Sequence, residues 1–365
     1  MCGLCYTYND PEGEFDRLLE AAGAEDENAF TSQDYTAYVQ NLPAKDDQNL
    51  NLIASLESDR MVNLDLNPKY FGTEREVVQN ERRFRTENSP EGLMYQALFE
   101  KAFKVHPYHW PVIGYSADLE RMTVKDPIAF YKAHYNPEHA TVIVAGDVDT
   151  SDVLDVIRKY YGKIQSPVTE PHPIPAEPPQ TSPRRERLKL NIPVEKMLLG
   201  YHIPGIKSED IPALEVVQAV LAGGKSSRLH RALVDTGIAT SVDTDDIESK
   251  DPGLFIISVD LQKGKRAAQA EAIVLREMSR LMKSPASDQE LARARNYINF
   301  DFYEGFSSNS RRAGFLGRFE ATAGDFEVGL EQHRKVQVVA AADVQRVAKQ
   351  YLEPTNRTVI TGAPK

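Results

Sequence analysis

The segment that starts at Asp126, reaches Pro137 eleven residues later and continues as Thr141-Val142-Ile143-Val144-Ala145-Gly146 recurs as Asp343, Pro354 and Thr358-Val359-Ile360-Thr361-Gly362. Each copy reads as helix, turn, strand, because a helical stretch stops before a proline and a β-branched run follows it. A chain that repeats such a unit across its length is built from two related α/β halves. Seven prolines (167, 171, 173, 175, 178, 179 and 183) lie among polar residues from Ser166 to Arg187 and predict an extended, semi-rigid connector between the halves. The domains are therefore expected at 1–165 and 188–365, with 166–187 as linker. With 365 residues, 41% of them hydrophobic, the chain has material for two conventional cores.

Helices are expected near Gly13 to Ala22, Asp46 to Met61, Phe71 to Phe103 with a break at Asn88-Ser89-Pro90, and Pro127 to His134. Strands are expected near Asn28 to Val39 and Thr141 to Ala145. In the second half, strands near Met197 to His202 and Leu254 to Leu261 frame helices near Ile211 to Leu221, Ser226 to Leu233, Arg266 to Met282 and Asp288 to Tyr303. Returning strands beside runs of helices give an α+β class, with helices on one face of a mainly antiparallel sheet in each half.

Within Thr73-Glu74-Arg75-Glu76-Val77-Val78-Gln79-Asn80-Glu81-Arg82-Arg83, Glu74 and Glu81 point within about 20° of each other on a helix, and Glu76 points elsewhere. Two acids on one face gain from a cation beside them. A divalent metal is one candidate, and a solvated face balanced by Arg75, Arg82, Arg83 and Arg85 is the other.

This helix, together with Asn28 to Tyr38, His106-Pro107-Tyr108, Val112-Ile113-Gly114, Phe130-Tyr131, Val144-Ala145-Gly146-Asp147, Leu199-Gly200-Tyr201 and Gly223-Gly224-Lys225-Ser226-Ser227-Arg228-Leu229, resembles the pitrilysin or insulinase-like zinc peptidases of family M16. The likeness is to the shorter two-domain type and runs over nearly the whole chain. It implies a LuxS/MPP-like metallohydrolase fold and a zinc metalloendopeptidase acting on peptides or unfolded proteins. It also implies Glu81 as a metal ligand, Glu74 as a supporting carboxylate, and Asn28, Ala29, Phe30 and Thr31 as a substrate-binding strand edge that an extended peptide joins.

The same family holds its metal through a His-x-x-Glu-His helix, two histidines on one face with the Glu as general base. No such motif occurs in this sequence. Counting back from Gly13-Glu14-Phe15-Asp16 puts the family's second histidine at about Met1, so the polypeptide is expected to lack two of three metal ligands and the base. His134, Glu138 and His139 form a near miss, but Pro137 ends any helix there, and the second copy of the repeat has Tyr351, Thr355 and Asn356 in their places. Cys2 and Cys5, the chain's two cysteines, lack the strand-then-helix setting of a redox pair and the nearby ligands of a structural zinc site.

A net charge of -11 argues against a nucleic-acid surface, and no apolar run approaches the ~20 residues of a membrane span. Gly223-Gly224-Lys225 lacks P-loop spacing and reads as a turn after a helix, and the Asn356-Arg357-Thr358 acceptor pattern reads as structural. Two functions stand: a truncated zinc metalloendopeptidase, inactive by itself, and a non-catalytic relative that presents substrate to, or scaffolds, an active partner. Both imply a homo- or heterodimer with another M16 chain, and relatives suggest a periplasmic or otherwise exported location.

Overall fold

The computed structural model describes residues 13–44, 48–166, 173–245, 247 and 249–365. In chain order, the first elements are α1 (Glu14–Ala22), β1 (Glu25–Thr31), β2 (Thr36–Asn41), α2 (Gln48–Asn63), α3 (Pro68–Arg82), α4 (Pro90–Ala102), α5 (Ser116–Arg121), α6 (Lys125–His134) and α7 (Thr150–Tyr161). Then follow β3 (Arg184–Leu190), β4 (Lys196–His202), α8 (Ile211–Ala222), β5 (Ala239–Thr244), β6 (Leu254–Leu261), α9 (Ala267–Lys283), α10 (Asp288–Glu304), α11 (Asn309–Ala323), α12 (Glu327–Val336), α13 (Ala341–Tyr351) and β7 (Arg357–Pro364). The described residues divide into two compact units, those within 1–81, 112–173 and 306–321 in one, those within 82–111, 174–305 and 322–365 in the other.

The second unit is organised by a five-stranded sheet in the order β3-β7-β4-β6-β5, in which only β3 and β7 run parallel. Its central strands carry consecutive apolar residues, Met197-Leu198-Leu199 in β4 and Leu254-Phe255-Ile256-Ile257 in β6, rather than alternate ones, so both faces need cover. Met197, Leu199 and Tyr201 of β4 and Phe255, Ile257 and Val259 of β6 bury against α8, α9, α10 and α13. Leu198, Leu254, Ile256 and Ile360 point the other way and pack on Met94 and Leu98 of α4. At about 1.5–3 kcal/mol for each large apolar side chain removed from water, this double-sided core dominates the unit's stability. The α+β class holds, with α4 covering the face that periodicity alone leaves bare.

Helix α4 can lie close because the strands beneath it carry glycines. A Cβ on Gly362 would stand 2.7 Å from Met94 Sδ and 2.9 Å from Leu190 Cδ1, and one on Gly200 would stand 3.1 Å from Leu98 Cδ1. The break expected at Asn88-Ser89-Pro90 is real: α3 passes into a π-turn at Arg83–Glu87, and Ser89 Oγ then caps α4 by accepting the Gly92 N–H at 3.0 Å.

The proline-rich connector is pinned to this unit from Glu177 onward. The Glu177 carboxylate accepts the backbone N–H groups of Lys104, Val105 and His106 at 2.9–3.1 Å. Gln180 donates to the carbonyls of Thr355 and Arg357, and Arg184 donates to those of Lys101 and Ala102 at the end of α4.

The first unit has a two-stranded antiparallel sheet, β1 with β2, in the register Ala29↔Tyr38 and Phe30↔Ala37. The single strand expected from Asn28 to Val39 is therefore a hairpin. Ser32 Oγ turns the chain by accepting the N–H groups of Asp34 and Tyr35. The two copies of the repeat also diverge. Both have the helix (α6, α13) and a 3-10 turn at Pro137–His139 and Pro354–Asn356, but only the second continues into a strand, β7. Thr141 to Ala145 pairs with no described strand; a β-branched run becomes a strand only where a neighbour completes its hydrogen bonds.

Candidate functional site

Glu74 and Glu81 both fall on α3, half-buried, while Glu76 is exposed, as the helical phase requires. Two full turns separate them, about 10 Å of axial rise, so the two carboxylates cannot hold one ion symmetrically. Two of the arginines counted as balancing charges are engaged elsewhere. Arg75 donates to the carbonyls of Glu120 and Met122 at 3.4 and 3.1 Å, closing the end of α5. Arg82 is buried and meets Gln96 at 3.0 Å and Glu87 at 3.2 Å.

A catalytic zinc takes three protein ligands and keeps a fourth position for water. Among the described residues no three His, Cys, Asp or Glu side chains come together to hold a metal, so those residues alone do not fit a zinc ion. Cys2 and Cys5 lie outside the described residues. His134 and His139 do approach, ring centroids 6.2 Å apart, but His134 packs on Phe130 and Asn136 caps the intervening turn through the Glu138 N–H. Asn356, of the glycosylation-like triplet, spends its amide on the carbonyls of His202 and Tyr351. The Gly223-Gly224 pair ends α8, with Gly224 at φ +76°, as a turn reading requires.

The strand edge is the better-defined feature. Asn28, Ala29, Phe30 and Thr31 lie in β1, whose ladder among the described residues runs only to β2. Phe30 is 44% exposed and meets Tyr35 edge-on at 5.9 Å. The Ala29 N–H donates to the side-chain oxygen of the adjacent Asn28 at 2.9 Å.

Behind the hairpin lies an anchor that the sequence reading missed. The Arg60 guanidinium sits 3.9 Å from the centre of the Tyr38 ring on β2 and pairs with Glu57 one turn earlier on α2. Gln40 donates to the same Glu57 at 2.8 Å. Tyr38 and Tyr135 share a hydrogen bond of 2.6 Å between their hydroxyls, and Tyr131 donates to the Arg60 carbonyl at 2.8 Å. Burial pushes the Glu57 carboxyl above the usual range, with Arg60 and Gln40 pulling against it. Glu57-x-x-Arg60 at i, i+3 was the available signal, but nothing local says that the pair is buried beneath a strand.

The chain thus combines two α+β units, a carboxylate-bearing helix and a hairpin whose outer edge pairs with no strand among the described residues. The family description "Insulinase (Peptidase family M16)" matches residues 4–115, and "Peptidase M16 inactive domain" matches residues 121–298. Zinc protease PqqE of Helicobacter pylori is 30% identical over 359 residues, which is 97% of this chain and 80% of that protein. A crystal structure of a protease from Helicobacter pylori superposes with a TM-score of 0.92 at 29% identity, covering 100% of this chain and 88% of that one. A probable mitochondrial-processing peptidase subunit beta of Arabidopsis thaliana is 24% identical over 336 residues, 89% of this chain and 62% of that protein. The chain belongs to the M16 peptidase family.

Proposed function

We propose that this chain handles extended or unfolded polypeptides, capturing them by backbone pairing along β1 at Asn28, Ala29, Phe30 and Thr31. The observation that carries this reading is the edge itself, a strand hydrogen-bonded on one side among the described residues and bearing an exposed Phe30. Its main-chain groups take any sequence, and Phe30 adds an apolar contact. Asn28 regulates access, because its side chain occupies the Ala29 N–H and must turn away before a peptide carbonyl can take that donor. In the hydrolytic form of this reading, Glu81 binds zinc and Glu74 supports it, with the remaining donors coming from outside the described residues. In the non-catalytic form the chain presents its peptide to a second M16 chain. The match of residues 4–115 to the insulinase family description and the likeness to a zinc protease support the hydrolytic form, and the relative named as a subunit supports the presenting one.

The test combines anisotropy of a fluorescent, unstructured peptide with elemental analysis and a cleavage assay on the full chain. Binding that strengthens in Asn28→Ala and weakens in Ala29→Pro supports capture at β1; binding indifferent to both overturns it. Zinc near one per chain, lost with cleavage in Glu81→Gln, selects the hydrolytic form. Peptide binding without zinc or cleavage selects the presenting form.

A further inference from the structure

Tyr38 and Gln40 point the same way from β2, two residues apart, and both are tied to α2 through one carboxylate. Gln40 donates to Glu57 Oε1 at 2.8 Å. Glu57 Oε2 pairs with Arg60, whose guanidinium lies 3.9 Å from the centre of the Tyr38 ring and 5.6 Å from that of Phe15 on α1. The pair is shielded from water, with 9% of the Arg60 side chain and 19% of the Glu57 side chain exposed. Tyr38 stands opposite Ala29 in the ladder, so whatever holds Tyr38 also holds that position of β1.

A single proton changes both attachments. On a neutral Glu57 the bond from Gln40 loses its charge assistance, and Arg60 is left a buried cation without that countercharge. Other titratable groups facing the carboxylate are Glu27 on β1 and Tyr161 on α7, with Asp16 on α1 acting on Glu27. Tyr161, pushed up to about 12 by burial, stays neutral. Burial raises the Glu57 carboxyl against the pull of Arg60 and Gln40, so its proton arrives at a pH where an ordinary glutamate is still charged. Protonation relieves the cost of burying the charge and leaves the bond between the Tyr38 and Tyr135 hydroxyls untouched. The unit therefore stays folded while β2 loses its charged attachment.

We propose that Glu57 is a proton-operated catch on the β1–β2 hairpin. Charged, it locks β2 onto α2 and sets β1 for capture; protonated, it slackens the hairpin, and a captured polypeptide is released. The coupling to release rests on the reading of β1 as the capture strand, whereas the slackening does not.

The test is hydrogen exchange of the full chain, read as protection factors over residues 28–41 at about pH 7.5 and about pH 5, alongside anisotropy of the fluorescent, unstructured peptide. In the parent, protection falls roughly tenfold or more in acid, β4 and β6 keep theirs, and peptide affinity falls with the same midpoint. Glu57→Gln shows the low, acid-like protection at both pH values. The double variant Glu57→Gln, Arg60→Met, which removes the buried cation as well, regains protection and no longer responds to pH. Glu27→Gln keeps the response of the parent. Equal protection at both pH values in the parent overturns the proposal, as does a response that survives in Glu57→Gln or is lost in Glu27→Gln. A slackened hairpin with unchanged peptide affinity upholds the catch and overturns capture at β1. Affinity that falls while protection stays unchanged overturns the catch and leaves capture standing.

Discussion

Arg228 and Glu290 meet as a two-pronged ion pair, Nε to Oε1 at 2.7 Å and Nη2 to Oε2 at 3.0 Å. Glu290 also accepts the N–H and hydroxyl of Ser287, so one carboxylate closes the capping box of α10 and ties it to the Gly223-to-Leu229 motif. The motif residue identified by its family likeness thus has a structural task.

The Arg228 fork, ahead of the opposing effect of burial, holds the Glu290 carboxyl down at about 2. Because the folded value lies below the unfolded one, the pair's contribution is complete above the ordinary glutamate range and fades as pH falls toward 2. Glu290→Gln is expected to cost about 1 kcal/mol at neutral pH, allowing for solvent screening of a partly open pair. The deficit shrinks in acid, and urea melts at pH 7 and pH 3 check both.

Arg60→Met should act with the opposite pH sense. It leaves Glu57 buried without its cation, at about 2–4 kcal/mol. A carboxyl whose folded pKa lies above its unfolded one stabilises the protonated fold, so the variant gains stability on acidification from neutral pH. Thermal melts from pH 7 to pH 5 that rise in the variant relative to the parent carry the prediction; a parallel pair of curves refutes it.

Gly362→Ala should disturb the sheet beneath α4. The new methyl meets Met94 Sδ and Leu190 Cδ1 at less than 3 Å, and overpacking of this kind costs roughly 1–3 kcal/mol. Met94→Ala in the same chain opens space at the thioether and should recover part of the loss, a coupling that a double-mutant cycle measures.

Glu177→Gln tests the clip on the connector. Burial pushes this carboxyl up, but the N–H groups of Val105, Lys104 and His106 outweigh it and hold the group below its ordinary value. The clip is therefore intact above the glutamate range and weakens as pH falls through it. Faster proteolytic nicking between residues 173 and 183 in the variant at pH 7, matched by the parent only once the pH is below the ordinary glutamate range, is the expected outcome.

Local chemistry made much of the secondary structure legible. Ser89-Pro90 announced the start of α4, Gly23 and Gly223 follow the helices they end, and the even apolar runs of β4 and β6 announced buried strands. The hairpin at Ser32 to Tyr35 was hidden because its turn is made by a serine hydroxyl rather than by Gly or Pro. The Glu57–Arg60–Tyr38 anchor was hidden because burial of an i, i+3 pair depends on what lies across from it.

The sequence by itself determined the α+β class, the duplication and the placement of Glu74 and Glu81 on one helix, because each follows from spacing along the chain, and its motifs pointed to the family by resemblance. Tertiary structure alone decided that β7 is a central strand while Thr141 to Ala145 pairs with no strand among the described residues, though their sequences nearly coincide. The reason is physical: a strand's hydrogen bonds belong half to its neighbour, and which neighbours arrive is settled by packing across the whole unit.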